Sequence, residues 1–211
     1  MILLLDTSTS HLAIGIADAD GAILREFHAD AAEGERGIHD ARLALETAKL
    51  LQELGISSRE LSRAGLIIGP GSFTGLRIGL SFVKGFCFAA GAGIVPLTPH
   101  EVMFAEIMEA KNRFFITPGY RQDLFYVASS EKIQNIQMLR AEDFVKRGDV
   151  AVIAHEYFLL HPSPFLPEAT SFISPSLSTM GRLTSMYPEP LRKEKLDALE
   201  PLYLTEFQAT L

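Results

Sequence analysis

The sequence holds 211 residues, 47% of them apolar and 21% charged, enough to bury a real core in one large domain or two small ones. Its net charge of −7 excludes the broad cationic surface that direct binding to nucleic-acid phosphates requires, so any such contact falls to a partner. The single cysteine, Cys87, excludes an intramolecular disulfide and reads as a small core residue of a protein in a reducing compartment.

At the start of the chain an apolar run over residues 1–5 stops at Asp6, too short for a signal-peptide core. No stretch approaches the ~18 apolar residues that span a bilayer. The expectation is a cytoplasmic protein with no membrane contact.

Strand-length apolar runs at residues 2–5, 12–17 and 23–27 alternate with polar turns at 7–10 and 18–21, which predicts three strands joined by tight hairpins. A helix is predicted over 38–54, with Gly55 as the residue that ends it. A short strand at 66–68 leads into a glycine-rich turn and a helix to about Ala90, then a strand at 94–96 and a helix at 100–109. Three antiparallel strands followed by helix, strand, helix, strand specify a mixed α/β sheet: a hairpin edge plus parallel strands reached by helical crossovers. Strands at 113–117, 124–129 and 149–154 and a helix at 176–186 follow. The proline-rich stretch 161–167 is a loop, because proline suits neither a ladder nor a helix interior. The expected organisation is two domains, 1–105 and a smaller 106–211.

Two motifs carry chemistry. Asp6-Thr7-Ser8-Thr9 closes the first strand; its amides and hydroxyls suit a phosphate and its carboxylate a hydrated cation, or the same groups simply make the turn. The second runs from Gly69 to Gly79 and holds Gly71, Ser72, Thr74 and Gly75. Its glycines permit close backbone approach, Ser72 or Thr74 can cap the helix, and free amides of the first turn would accept an anion. It is neither a P-loop nor a dinucleotide fingerprint.

In the helix that follows, Leu76, Leu80, Val83, Cys87 and Ala90 form one stripe and Ile78, Phe82, Gly85 and Ala89 another. One stripe suffices to cover a sheet, so the second either meets another part of this chain or receives a helix from a second chain. The helix at 38–54 is likewise two-sided, with Ala41, Ala44, Leu45, Ala48 and Leu51 opposed to Leu43, Leu50 and Leu54. No Gly-x-Ser-x-Gly nucleophile elbow and no His-x-x-x-His or His-Glu-x-x-His pair is present. No catalytic residue and no metal ligand is therefore assigned.

Taken together, the segment from Leu4 to Thr9, His39 at the head of the first helix and the glycine motif 69–79 resemble the TsaB (YeaZ) family over residues 1–100. The resemblance implies an actin-like, ribonuclease H-like fold of two related domains, the second degenerate. It implies a non-catalytic scaffold subunit that pairs with TsaD, joined by the ATPase TsaE, while TsaD transfers a threonylcarbamoyl group to the adenosine beside the tRNA anticodon. Asp6 to Thr9 then match the remnant of a phosphate hairpin. The interface residues implied are His39, Arg42, Leu43, Arg77, Ile78, Ser81, Phe82, Gly85 and Ala89.

A homodimer is expected when the chain is alone, tRNA is met only through the complex, and no cofactor is expected beyond a nucleotide at the interface shared with the partner. The second domain departs from the family, with Gly119 to Asp123 keeping only part of its usual Asp-Ala-Arg-Arg-like segment. A glycoprotease-type peptidase and an actin-like ATPase or sugar kinase are the alternatives.

Overall fold

The computed structural model describes residues 1–30, 38–107, 112–119, 121, 123–145, 151–168, 170–192 and 194–204. In chain order the elements are β1 (Ile2–Asp6), β2 (His11–Ala17), β3 (Ile23–Asp30), α1 (Ile38–Leu54), β4 (Arg63–Ile67), α2 (Phe73–Ala90), β5 (Gly93–Leu97), α3 (Pro99–Glu106), β6 (Arg113–Pro118), β7 (Leu124–Ser129), β8 (Gln137–Arg140), α4 (Ala141–Val145), β9 (Ala151–His155), α5 (Tyr157–Leu160), β10 (Ser171–Ile173), α6 (Leu177–Met186) and α7 (Glu194–Asp197). They fall into two compact units, Met1–Leu97 with Leu177–Pro201, and Thr98–Ser176 with the chain from Leu202 onward.

The first unit is a five-stranded sheet in the order β3-β2-β1-β4-β5, antiparallel across β3, β2 and β1 and parallel across β1, β4 and β5. Every residue of β1 is buried, which is why it reads as an unbroken apolar run: both faces of the sheet are covered. On one face Leu3 and Leu5 pack with Leu43, Leu50 and Leu51 of α1 and Leu80, Val83 and Cys87 of α2. Helix α1 ends at Gly55 (φ +65°) and α2 at Gly91 (φ +73°), left-handed conformations in which a side chain is strained. By length and composition α2 qualifies as a bilayer span, against expectation, but its buried stripe belongs to this core.

The other face of the sheet is covered by α6, with Leu177 and Met180 buried. Leu177 lies over Gly15, and the side chain of Thr184 fills the space a Cβ at Gly65 would need. Backbones of Gly181 and Gly21 meet so closely that a side chain on either would clash. Arg63, half-buried on β4, donates through Nη1 to the carbonyls of Thr184 (3.0 Å), Ser185 (3.1 Å) and Tyr187 (2.5 Å), capping the end of α6 where carbonyls lack helical partners. The units are therefore not consecutive segments divided at residue 105. The chain returns to the first unit because a sheet buried on both faces needs an apolar helix on each.

The second unit repeats the wiring, in the order β8-β7-β6-β9-β10, with β6, β7 and β8 antiparallel and β6, β9 and β10 parallel. One face carries Ile116, Phe125, Val127, Leu139, Phe144 and Phe158; Phe115 and Ile153 meet Met103 of α3 on the other. Helix α3 opens on a capping box, Thr98 with Glu101. Over their described residues the crossover helices are short: α4 covers five residues and α5 four, against 17 in α1 and 18 in α2.

Candidate functional site

The two motifs singled out in the sequence are brought together and joined by hydrogen bonds from the Thr7 hydroxyl and to the Ser8 carbonyl, while the buried Ser8 hydroxyl has no hydrogen-bond partner among the described residues. Asp6, almost fully buried at the end of β1, accepts the Ser8 amide on Oδ1 at 2.8 Å, an Asx turn. Thr7, fully buried, donates its hydroxyl to the Gly75 carbonyl at 2.8 Å. The Ser8 carbonyl accepts the Ser72 amide at 2.6 Å, and Thr9 Oγ1 accepts the His11 amide at 3.2 Å.

Across from them Ser72 caps α2, its Oγ accepting from Gly75 N at 3.2 Å. Thr74 is exposed and takes no part in that cap. Gly69 has φ +116° and precedes a cis proline. A Cβ at Gly71 would strike Ser8, and Cβ atoms at Gly75 and Gly79 would strike the backbone oxygen and the hydroxyl of Thr7. The glycines thus let α2 seat directly on the β1–β2 hairpin, and amide donors of the helix start already bind oxygens of the chain.

The proposed contact residues divide. Leu43 is 2% exposed and belongs to the core of the first unit, which corrects its place among the interface residues. The stripe Leu43, Leu50 and Leu54 is turned to the sheet together with Leu51 of the opposing stripe, while Ala44, Ala48 and Leu45 (53% exposed) face outward. Arg42 is exposed, and the side chain of His39 lies outside the described residues.

On α2, Arg77, Ser81, Gly85 and Ala89 are exposed, whereas Ile78 and Phe82 are half-buried and touch the core. Gly85 faces open space. Two residues that sequence reasoning passed over complete this face: Phe88, 83% exposed, and Phe73, 51% exposed, with the Arg77 guanidinium 4.0 Å from the Phe73 ring centroid. Their signal was the excess of aromatics around the helix, Phe73, Phe82, Phe86 and Phe88, more than one buried stripe can take. Cys87 is in the core, and burial pushes its thiol up to about 12, so no reactive thiolate forms.

In the second unit His100 is fully buried. Its Nε2 lies 3.1 Å from the Tyr126 carbonyl, which can only accept, so Nε2 carries the proton and buried Nδ1 has no partner. Burial holds its pKa down to about 4, the carbonyl contact opposing and His155 adding to the depression. Of the divergent segment 119–123, Tyr120 and Gln122 lie outside the described residues. Arg121 grips Asp123 in a two-point ion pair at 2.9 and 2.6 Å, which holds that exposed carboxyl below its usual range.

Residues 36–196, more than half of the chain, match the family model of TsaD, tRNA N6-adenosine threonylcarbamoyltransferase. Among solved structures, a Pseudomonas aeruginosa protein described as uncharacterized with similarity to peptidase YeaZ has 19% identity and a TM-score of 0.72, over 97% of this chain and 99% of that one. YeaZ from Pseudomonas aeruginosa has 18% identity and a TM-score of 0.67, over 96% and 99%. Both share the fold, with its two sheets of common topology. The chain belongs to the TsaD family.

Proposed function

We propose that this chain is a TsaB-type subunit of the tRNA threonylcarbamoyladenosine machinery: a non-catalytic, cytoplasmic scaffold that pairs with a TsaD-type catalytic subunit and a TsaE-type ATPase, and meets tRNA only through them. The observation that carries the reading is the outward face of α2. There Phe88 stands 83% exposed beside Gly85, which faces open space. Large exposed apolar side chains beside a residue with no side chain mark a surface suited to close approach by another chain. The proposed contact set is Arg42, Arg77, Ile78, Ser81, Phe82, Gly85 and Ala89, extended by Phe73 and Phe88, and the chain alone pairs through the same face.

Chemistry points the same way. The hairpin carboxylate and the Thr7 hydroxyl are engaged within the fold, and the sequence has no His-x-x-x-His pair. The test is reconstitution of threonylcarbamoyl transfer to tRNA from purified TsaD-type, TsaE-type and this subunit. Omitting this chain should abolish transfer, and the chain alone should transfer nothing. Transfer by the chain alone, or undiminished transfer without it, would overturn the reading.

A further inference from the structure

Away from that face, four side chains line up across the β2–β3 ribbon. The register pairs His11 with Asp30, Ala13 with His28 and Gly15 with Glu26, so Asp30, His28 and Glu26, two residues apart, share one face of β3. His11 Nδ1 lies 2.8 Å from Asp30 Oδ1, His11 Nε2 lies 3.0 Å from His28 Nδ1, and His28 Nε2 lies 3.6 Å from Glu26 Oε2.

The chemistry follows from the ends of this row. A carboxylate can only accept, so Asp30 fixes the proton of a neutral His11 on Nδ1 and leaves a lone pair on Nε2. Glu26, at 3.6 Å, is too far to fix the His28 tautomer, so His28 Nδ1 either donates to the His11 lone pair or, with the proton on Nε2, turns a second lone pair toward it. In the first tautomer the contact is a hydrogen bond; in the second, two lone pairs 3.0 Å apart converge on a point that a metal ion can occupy.

We propose that His11 and His28 chelate a divalent transition-metal ion of the zinc, nickel and copper class, with Asp30 as the carboxylate that orients the His11 ring. At metal–nitrogen distances of ~2.0–2.1 Å the observed separation corresponds to a ligand angle of roughly 95°, which a small rotation of two exposed rings adjusts for any of the three ions. The side chains of His11 and His28 are 38% and 45% exposed, so water completes the coordination. Among the described residues no three His, Cys, Asp or Glu side chains form a group fit to hold a metal, so the described residues supply the two imidazole nitrogens. The ion ties the edge strand β3 to β2. Magnesium and calcium, which take oxygen ligands, are refused. The seventeen-residue separation of the two histidines hid the pair from any sequence spacing rule.

The experiment is calorimetric titration of the tag-free full chain at neutral pH with zinc chloride, repeated with nickel and magnesium. Zinc and nickel should bind with half-saturation on the order of 10 µM, since two imidazoles and water fall well short of a closed four-ligand site, and magnesium should give no heat. His11→Ala and His28→Ala should each abolish binding with the fold intact by circular dichroism, and Asp30→Asn should weaken it about tenfold. Zinc should also raise the melting temperature of the wild type and not that of His28→Ala. Zinc affinity unchanged in His28→Ala, or a pair that only shares a proton and takes up no zinc or nickel, would overturn the proposal.

Discussion

Gly75 sits against the backbone of Thr7 so tightly that a β-carbon there would lie inside the van der Waals radius of the Thr7 carbonyl oxygen. Backbone has no rotamer with which to yield, so Gly75→Ala must lift the start of α2 off the hairpin. Overpacking of this kind costs about 1–3 kcal/mol or more. Gly85, ten residues on in the same helix, has nothing within 4 Å of the position a Cβ would take; there the same substitution should stabilise the protein by about 0.5–1 kcal/mol through helix propensity. Urea denaturation of both variants checks the pair. A Gly75→Ala protein as stable as wild type would mean that the glycine motif serves something other than close packing.

The contrast shows what the sequence could and could not disclose. Periodicity is a local property, so α1 and the strands of the first unit were legible: the helix predicted over 38–54 is helical throughout and ends at Leu54 as expected. The glycine motif was legible as a motif, but its purpose depends on which backbone lies opposite, and that is a tertiary fact. Leu43 was misplaced because α1 carries apolar residues on two sides, and only the position of the sheet decides which is covered. In the second unit β8, with two apolar residues in four, and the three-residue β10 are too short for any period to declare itself. That α6 belongs to the first sheet followed from no local pattern at all.

His100 should make stability depend on acidity. In the unfolded chain its pKa is near 6.5, and burial lowers it to about 4 in the fold. As pH falls through that window the unfolded state binds a proton that the folded state refuses. Stability is therefore full above pH 6.5, declines by about 1.4 kcal/mol per unit below it, and is about 3 kcal/mol lower by pH 4. His100→Gln keeps a donor for the Tyr126 carbonyl and cannot titrate, so it should flatten the decline between pH 6.5 and 4.5. Unfolding midpoints measured at three pH values in that range decide the matter; parallel profiles for the two proteins would count against His100 as the titrating group.

Arg63 closes the end of α6 with three carbonyl contacts from one nitrogen. Hydrogen bonds to a charged group contribute about 1.5–3 kcal/mol, and Arg63→Met removes that charged donor and leaves the Thr184 carbonyl only the Tyr187 amide at 3.3 Å. The expected loss is about 2–3 kcal/mol. Because the segment Leu177–Pro201 is joined to the first unit by packing and not by chain order, protease cleavage should become faster in residues 182–190 before the rest of the unit opens. Cleavage sites mapped by mass spectrometry would expose the opposite result, a uniform loss of resistance.

Phe88 separates folding from association more cleanly than Ile78 or Phe82, whose side chains also touch the core. At 83% exposure it has little to lose in the monomer, so Phe88→Asp should change stability by no more than about 0.5 kcal/mol. At an interface an aromatic anchor contributes ~2 kcal/mol or more, and a buried charge in its place costs further. Phe88→Asp should therefore weaken binding to the TsaD-type subunit, and self-association, at least tenfold. Val83→Asp, on the fully buried side of the same helix, should unfold the protein instead. Sedimentation equilibrium gives the self-association constant and surface-immobilised binding the heterologous one. Two constants equal to wild type would remove the outer face of α2 from the assembly and, with it, the observation on which the scaffold reading stands.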